Sequence, residues 1–262
     1  MKSLVDEIAH RAGIEDMLLS QQAATEDREG RVSQGQALSR RASAAARQAG
    51  DTEVSANLLA VEARRQILLG DNAAALRLVD QAMAVPKATQ GEDVQILAGL
   101  VSAAMGNLPR ARRLMTDLTH AHPSDSIVQH YWIPLLRARI ALAENHPETA
   151  ISLLKGTEPY DLGIFEPGQC MDAAYLRGEA WLSLHQATAA TEQFRNILAH
   201  RGLVLNCPTS ALAQLGIARA LALAGDTAGS RAAYQDLLAL WKDADPDFQL
   251  AKQAQSEYRS LR

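Results

Sequence analysis

Seven histidines, two cysteines and an alternating run of aspartates are the residues of this 262-residue chain best equipped for chemistry. The closest histidine pair is His120 and His122, ahead of Pro123. Two positions apart on a helix they face different ways, so a shared metal is disfavoured and a polar helix end is expected. Asp243, Asp245 and Asp247 alternate in KDADPD, a spacing that invites calcium. A calcium loop also needs a central Gly and a downstream bidentate Glu, and neither follows, which leaves a solvated turn between helices. Cys170 and Cys207 stand 37 residues apart. No GxxxxGK[ST] phosphate loop, GxSxG elbow or HExxH pair occurs. No convergent acid–base set emerges, so neither an enzyme nor a cofactor is expected.

Composition narrows the class. Lys plus Arg is 26 and Asp plus Glu is 30, a net charge of −4, which argues against a phosphate-gripping nucleic-acid binder. A hydrophobic fraction of 47% is too high for a disordered chain. No run of 18 apolar residues occurs, so membrane insertion is not expected. The opening MKSLVDEIAHRAG lacks the apolar core of a secretory signal, and Asp6 and Glu7 spoil a transit peptide, which makes a cytoplasmic location the default expectation. Ala (48) and Leu (36) dominate while aromatics make up 4%, a helical signature.

The elements that would position any site repeat. Gly70-Asp71, Gly106-Asn107 and Gly225-Asp226 interrupt apolar helical stretches, with weaker turn signals at Gly30, Asn145-His146-Pro147 and His185-Gln186. Successive markers are 40, 36, 39, 40 and 40 residues apart. Runs with apolar residues at three- and four-residue steps precede the markers, over 54–69, 94–105, 131–143, 172–184 and 211–224. Second runs follow, as over 73–84, 111–121 and 187–199. Each unit therefore reads as two antiparallel helices joined by a tight turn. Eight of the nine prolines fall outside helix interiors or in first turns, and Pro134 alone is awkward. No alternating Val/Ile/Thr run suggests a strand. TEPYDLGIFEPG (157–168) reads as a long loop. Residues 247–261 read as a closing helix whose Lys252, Gln255, Glu257 and Arg259 face solvent. The predicted units span about 13–50, 51–89, 90–125, 126–167, 168–208 and 209–245, followed by a cap over 246–262. Cys170 and Cys207 would then precede equivalent helices of adjacent units. An oxidising compartment could join them, but two inert or half-buried thiols are expected.

Positions inside each unit resemble the tetratricopeptide repeat, which places small residues at its eighth and twentieth positions, a bulky one at the twenty-fourth and Pro near the end. The third unit supplies Gly99, Gly106, Ala111, Met115, Leu118 and Pro123; the fifth supplies Gly178, Trp181, Ala190, Phe194 and Ile197; the sixth supplies Ala218, Leu221, Ser230, Tyr234 and Leu237. The second gives Ala63, Ala75, Val79 and Ala82, the fourth Ala138, Ala150 and Leu154, and the first, the poorest, Ala23, Gly35, Ser39 and Ala42. Small residues let paired helices approach, and the bulky one fills the space beneath the next pair. The resemblance implies an all-α fold, a right-handed α-solenoid of about six such hairpins. The mean spacing of 39 exceeds the family's usual 34, and Trp181 is the one aromatic kept at the eleventh position.

In that family the first helices line a concave groove. The resemblance assigns its ninth positions to Ala24, Arg64, Leu100, Arg139, Glu179 and Arg219, with Trp132, Leu135, Tyr175, Leu182 and Leu215 beside them. Arginine forks grip carboxylates bidentately, so the implied guest is a protein or peptide segment with acidic groups. The bland alternative is that these arginines solubilise a helix face or pair with Glu across the repeat. The stretch 194–261 also resembles the C-terminal repeat region of large bacterial proteins that begin with a Ser/Thr kinase or a winged-helix domain. LWKDADPD (240–247) and SIVQHYWIPLLRA (126–138) carry much of that likeness, which would put this chain on the extracytoplasmic side where a membrane span intervenes. No Gly-rich loop, VAIK-like lysine, HRD or DFG is present, so no kinase activity follows. A peptide-binding scaffold, as the sensory or regulatory part of a larger signalling protein, is therefore expected. A self-associating structural module is the alternative.

Overall fold

The computed structural model describes residues 14–86, 91–163 and 170–261. Fourteen α-helices are found among them, and no strand. Six consecutive pairs account for most: α1 (Glu15–Arg28) with α2 (Val32–Gln48), α3 (Thr52–Leu69) with α4 (Asn72–Ala82), α5 (Glu92–Ala104) with α6 (Leu108–Ala121), α7 (Ile133–Ala143) with α8 (Pro147–Leu154), α9 (Asp172–Ser183) with α10 (Ala187–Ala199), and α12 (Thr209–Leu223) with α13 (Thr227–Leu240). A single turn, α11 (Arg201–Val204), precedes the sixth pair, and α14 (Gln249–Ser260) follows it.

All six turn markers sit where a pair bends. Gly30, Gly70, Gly106 and Gly225 hold left-handed backbone, and so do Asn145 (φ 61°) and His185 (φ 58°), which lack glycine's freedom. Each turn closes the same way. The Gly70 amide donates to the Ile67 carbonyl and the Asp71 amide to Gln66, a double clasp repeated at the other five. The residue after the glycine often caps the next helix: Asp71 Oδ1 accepts from the Ala74 amide at 2.9 Å, and Asp226 Oδ1 from Gly229 at 2.9 Å. Gly50-Asp51 forms an unforeseen seventh copy between the first two pairs.

Pro134 finds its explanation in a π-helical turn, Val128–Trp132, directly ahead of α7. The wider turn puts Pro134 at the start of a new α-helix, where its missing N–H and its ring are tolerated. The loop expected over 157–168 is partly helical instead. Lys155–Tyr160 is a 3₁₀ segment, and residues 164–169, with Pro167, lie outside the described residues. Buried Arg177 holds it, donating to the Leu154 carbonyl (3.3 Å) and Thr157 Oγ1 (3.2 Å) and pairing with Asp161.

First helices form an inner layer and second helices an outer one. Along α5, every residue from Ile96 to Ala103 is buried, whereas α6 buries only Ala111, Leu114 and Leu118. A helix apolar all round belongs inside, and a single stripe belongs on a covering layer. Inner helices pack in chain order, α3 on α5, α5 on α7, α7 on α9 and α9 on α12. The small residues act at these contacts. Phe194 of α10 is wedged between Gly178 of α9 and Gly216 of α12, where an added Cβ would come within 2.5 Å of the ring at either glycine.

The stack also meets its own end. The Trp241 indole donates to the Arg28 carbonyl at 3.0 Å. The Asp245 amide donates to the Gly30 carbonyl (2.9 Å), and Asp245 Oδ2 accepts from the Ser33 amide (2.7 Å). Phe248 and Ala244 crowd Gly30, and α1 touches α12. The last segment thus closes onto the first pair, and Glu257, expected on a solvent-facing cap, turns inward.

Candidate functional site

The inner helices converge on a cleft lined by Arg64, Leu100, Leu135, Arg139, Tyr175 and Leu176, with a cavity volume of about 50 Å³. Five of the eleven groove positions assigned from sequence therefore meet here: Arg64, Leu100, Leu135, Arg139 and Tyr175. Glu179 joins them by accepting from Arg139 Nη1 at 3.0 Å. Trp132 does not. It is 1% exposed, packed edge-on against Tyr131 at 4.8 Å, and belongs to the core. Leu135, 0% exposed, is floor rather than wall. Trp132 is the one corrected here, taken up by the core beside Tyr131, while Leu135 stays in the cleft as its floor.

Arg219 lies outside the cleft lining, close enough to Tyr175 for the two to interact electrostatically, and is clasped by Glu257 of α14 through two bonds of 3.0 and 2.9 Å. Tyr234 Oη adds a third bond to Glu257 at 2.6 Å. Burial pulls the Arg219 guanidinium down, but Glu257 outweighs it and holds it above its usual range. Glu257 is lowered in return: burial would raise it, and the bonds from Arg219 and Tyr234 prevail.

All three groove arginines are thus paired within the chain. Arg64, buried, reaches Asp172 at 2.5 Å and Cys170 Sγ at 3.4 Å. Asp172 opens α9, where the helix dipole favours a carboxylate. The Arg139–Glu179 pair is open to solvent, its side chains 26% and 34% exposed. Burial, and then the neighbouring Glu179 charge, push the Tyr175 phenol well above its usual range, so it stays protonated.

No protein-family model and no curated protein matches this chain.

Asp172 and Glu257 were missed as partners. The signal for Asp172 was its place one residue into α9, and α14's inward face, marked by buried Ala251 and Ala254, was the signal for Glu257. The cysteine expectation is corrected as well. Cys170 and Cys207, just ahead of α9 and α12, form a disulfide, with Cα atoms 5.9 Å apart. Among the described residues, no group of three His, Cys, Asp or Glu could hold a metal ion, and no helix is long and apolar enough to cross a membrane. Asp245, read as part of a solvated turn, instead bonds Ser33 and the first pair.

Proposed function

We propose that the chain is a protein-interaction scaffold of tetratricopeptide type, a right-handed superhelix of helical pairs drawn tight enough to bring its ends together. The observation that supports this reading best is the convergence of Arg64, Leu135, Arg139 and Tyr175 on one apolar cleft rimmed by ion pairs. A cleft of this size takes one aliphatic side chain of a partner and no more. At its rim the solvent-reached Arg139–Glu179 pair can exchange Glu179 for a partner carboxylate, because an exposed pair contributes only about 0–1 kcal/mol. The buried Arg64–Asp172 pair is structural in this reading. The likeness to the repeat regions of bacterial kinases and winged-helix regulators makes a regulatory segment of a larger signalling protein the natural setting.

Half-buried Leu68 lines the same cleft and offers a probe. Partners recovered from native lysate with the wild-type chain should be lost with Leu68→Glu and weakened with Arg139→Ala, while helicity is unchanged. Retention of every partner by both variants would move the binding surface elsewhere. The self-associating reading draws on exposed Met17 (57%) and Leu205 (61%), brought near each other by the Asn206 amide reaching the Gln21 carbonyl. Light scattering that shows a dimer growing with concentration would favour it.

A further inference from the structure

Apart from the central cleft, a trough of about 290 Å³ runs between the outer helices α2 and α4, floored by α3. Arg40 and Arg47 line one wall and Arg77 the other. All three are exposed, and none makes an ion pair or hydrogen bond among the described residues. This separates them from Arg64, Arg139 and Arg219, each of which already has its acid. The single carboxylate of the lining, Glu62, is buried beneath them and engaged by Arg65, Ser39 and Gln66. It has nothing left to offer the arginines above. A net-acidic chain thus concentrates three unmatched guanidinium groups on one concavity.

The shape of the trough says what would fit. Arg40 and Arg47 are seven residues apart on α2, so they share a face and lie about 10 Å apart along the helix axis. Carboxylates three residues apart on a polyproline-II-like chain, at about 3.1 Å per residue and three residues per turn, share a face and match that span. Guanidinium forks suit carboxylates geometrically. Leu59 and Leu78 add an apolar strip between the walls. The lining holds no aromatic ring on which a nucleic-acid base could stack.

We infer that the trough between α2 and α4 is a second binding site, for an acidic peptide segment of a partner protein with carboxylates at about three-residue spacing and an aliphatic residue between them. It rests on the scaffold reading only in that the guest is protein, and its location is separate from the central cleft.

The test is fluorescence anisotropy with a labelled EALEALE heptapeptide and its uncharged QALQALQ counterpart. EALEALE should bind the wild-type chain at least about tenfold tighter than QALQALQ, and the advantage should fade as salt screens the charges. Arg40→Glu combined with Arg77→Glu should weaken EALEALE by about tenfold or more, since both contacts become repulsive. Arg47→Glu alone should do so to a smaller extent. These exposed side chains make no ion pair or hydrogen bond among the described residues, so the melting temperature should change little. Arg113→Gln, an exposed arginine on α6 outside both the trough and the central cleft, should leave EALEALE binding as it was. The proposal is overturned if EALEALE does not bind, if QALQALQ binds equally, or if the arginine variants have no effect. It is overturned too if inorganic phosphate or a dT12 oligonucleotide displaces the peptide at comparable charge concentration. Self-association abolished by the same variants would replace the peptide with a second copy. Loss of EALEALE binding in Leu68→Glu, with the trough variants silent, would return the acidic guest to the central cleft and leave the scaffold reading standing.

Discussion

Arg64 and Asp172 are 108 residues apart in sequence and form a buried ion pair that ties α3 to the first turn of α9. Truncating one partner strands the other charge away from water. Asp172→Ala should therefore lower stability by about 3–5 kcal/mol. Replacing both at once, with Arg64→Met and Asp172→Leu, should recover most of that loss, because the pair's own net contribution is small. Urea denaturation of the two single variants and the double variant measures the difference. Equal losses in single and double variants would mean that the pair itself, rather than the orphaned charge, matters.

Gly178 and Gly216 leave room for the Phe194 ring between two successive inner helices. An added methyl at either position would press on the ring at about 2.5 Å, well inside contact distance. Gly178→Ala should cost about 1–3 kcal/mol, even though alanine is the better helix former. Phe194→Leu in the same background should restore part of the loss by yielding space. A Gly178→Ala protein as stable as wild type would mean that the helices can part freely there.

Much of this fold was legible because its turns are chemically explicit. Gly70-Asp71 and Gly106-Asn107 announce a left-handed residue followed by a helix cap, and both do so in the structure. Even Asn145 and His185, without glycine's freedom, kept the register, since spacing carried the signal when composition did not. The small positions were readable for the same reason: Ala63, Ala75, Ala138, Ala150, Ala190 and Ala218 are all 0% exposed. What stayed hidden is long-range. Nothing local in Asp245 says that it accepts from Ser33, and nothing in Arg64 says that Asp172 is opposite. Periodicity fixes which face of a helix is buried, but not whether a stack of pairs remains open or meets itself. Trp132, read as a groove residue, is packed in the core instead.

The Cys170–Cys207 disulfide links the approaches to α9 and α12. Intact mass under non-reducing conditions should fall about 2 Da below the thiol form, from the loss of two hydrogens. Closing a loop of this length restricts the unfolded chain, so Cys170→Ser with Cys207→Ser should lose about 3–4 kcal/mol. Added reductant should lower the wild-type melting temperature and leave the double variant unaffected. Thiols that label freely in the native protein would contradict the bond.

Asp27 and Glu62 share one cation, Arg65, in a buried cluster between α1 and α3. Burial first, and then the Glu62 charge, raise the Asp27 carboxyl from 3.8 to about 7, against the pull of Arg65. Because the folded state holds this proton more tightly than the unfolded one, the Asp27 contribution is fully present below about pH 4. It is lost as pH rises through 7. Stability measured between about pH 5 and 8 should therefore fall with rising pH, and Asp27→Asn should flatten that slope. Glu257, which is lowered, acts in the opposite sense only below that window. Gly35→Ala tests the same cluster sterically, since its Cβ would meet Asp27 Oδ1. A wild-type profile flat from pH 5 to 8 would show that the cluster takes up no proton.

Phe248 decides whether the two ends of the chain form one cooperative unit. Its ring stacks edge-on against Trp241 at 5.1 Å and lies over Gly30 in the first turn of the stack. Phe248→Ala removes both contacts and should cost about 3–5 kcal/mol. The place where the loss appears is more informative than its size. In an open stack each pair depends only on its neighbours, and faster amide exchange would be confined to α13 and α14. In the closed arrangement, α1 and α2 lose the same support and should exchange faster too, although they lie at the other end of the sequence. Trp241→Phe, which keeps an aromatic ring but removes the hydrogen bond to the Arg28 carbonyl, should produce the same pattern at about 1 kcal/mol. Hydrogen exchange read by peptide mass separates the two cases. Protection of α1 and α2 that ignores both substitutions would mean that the ends touch without supporting each other.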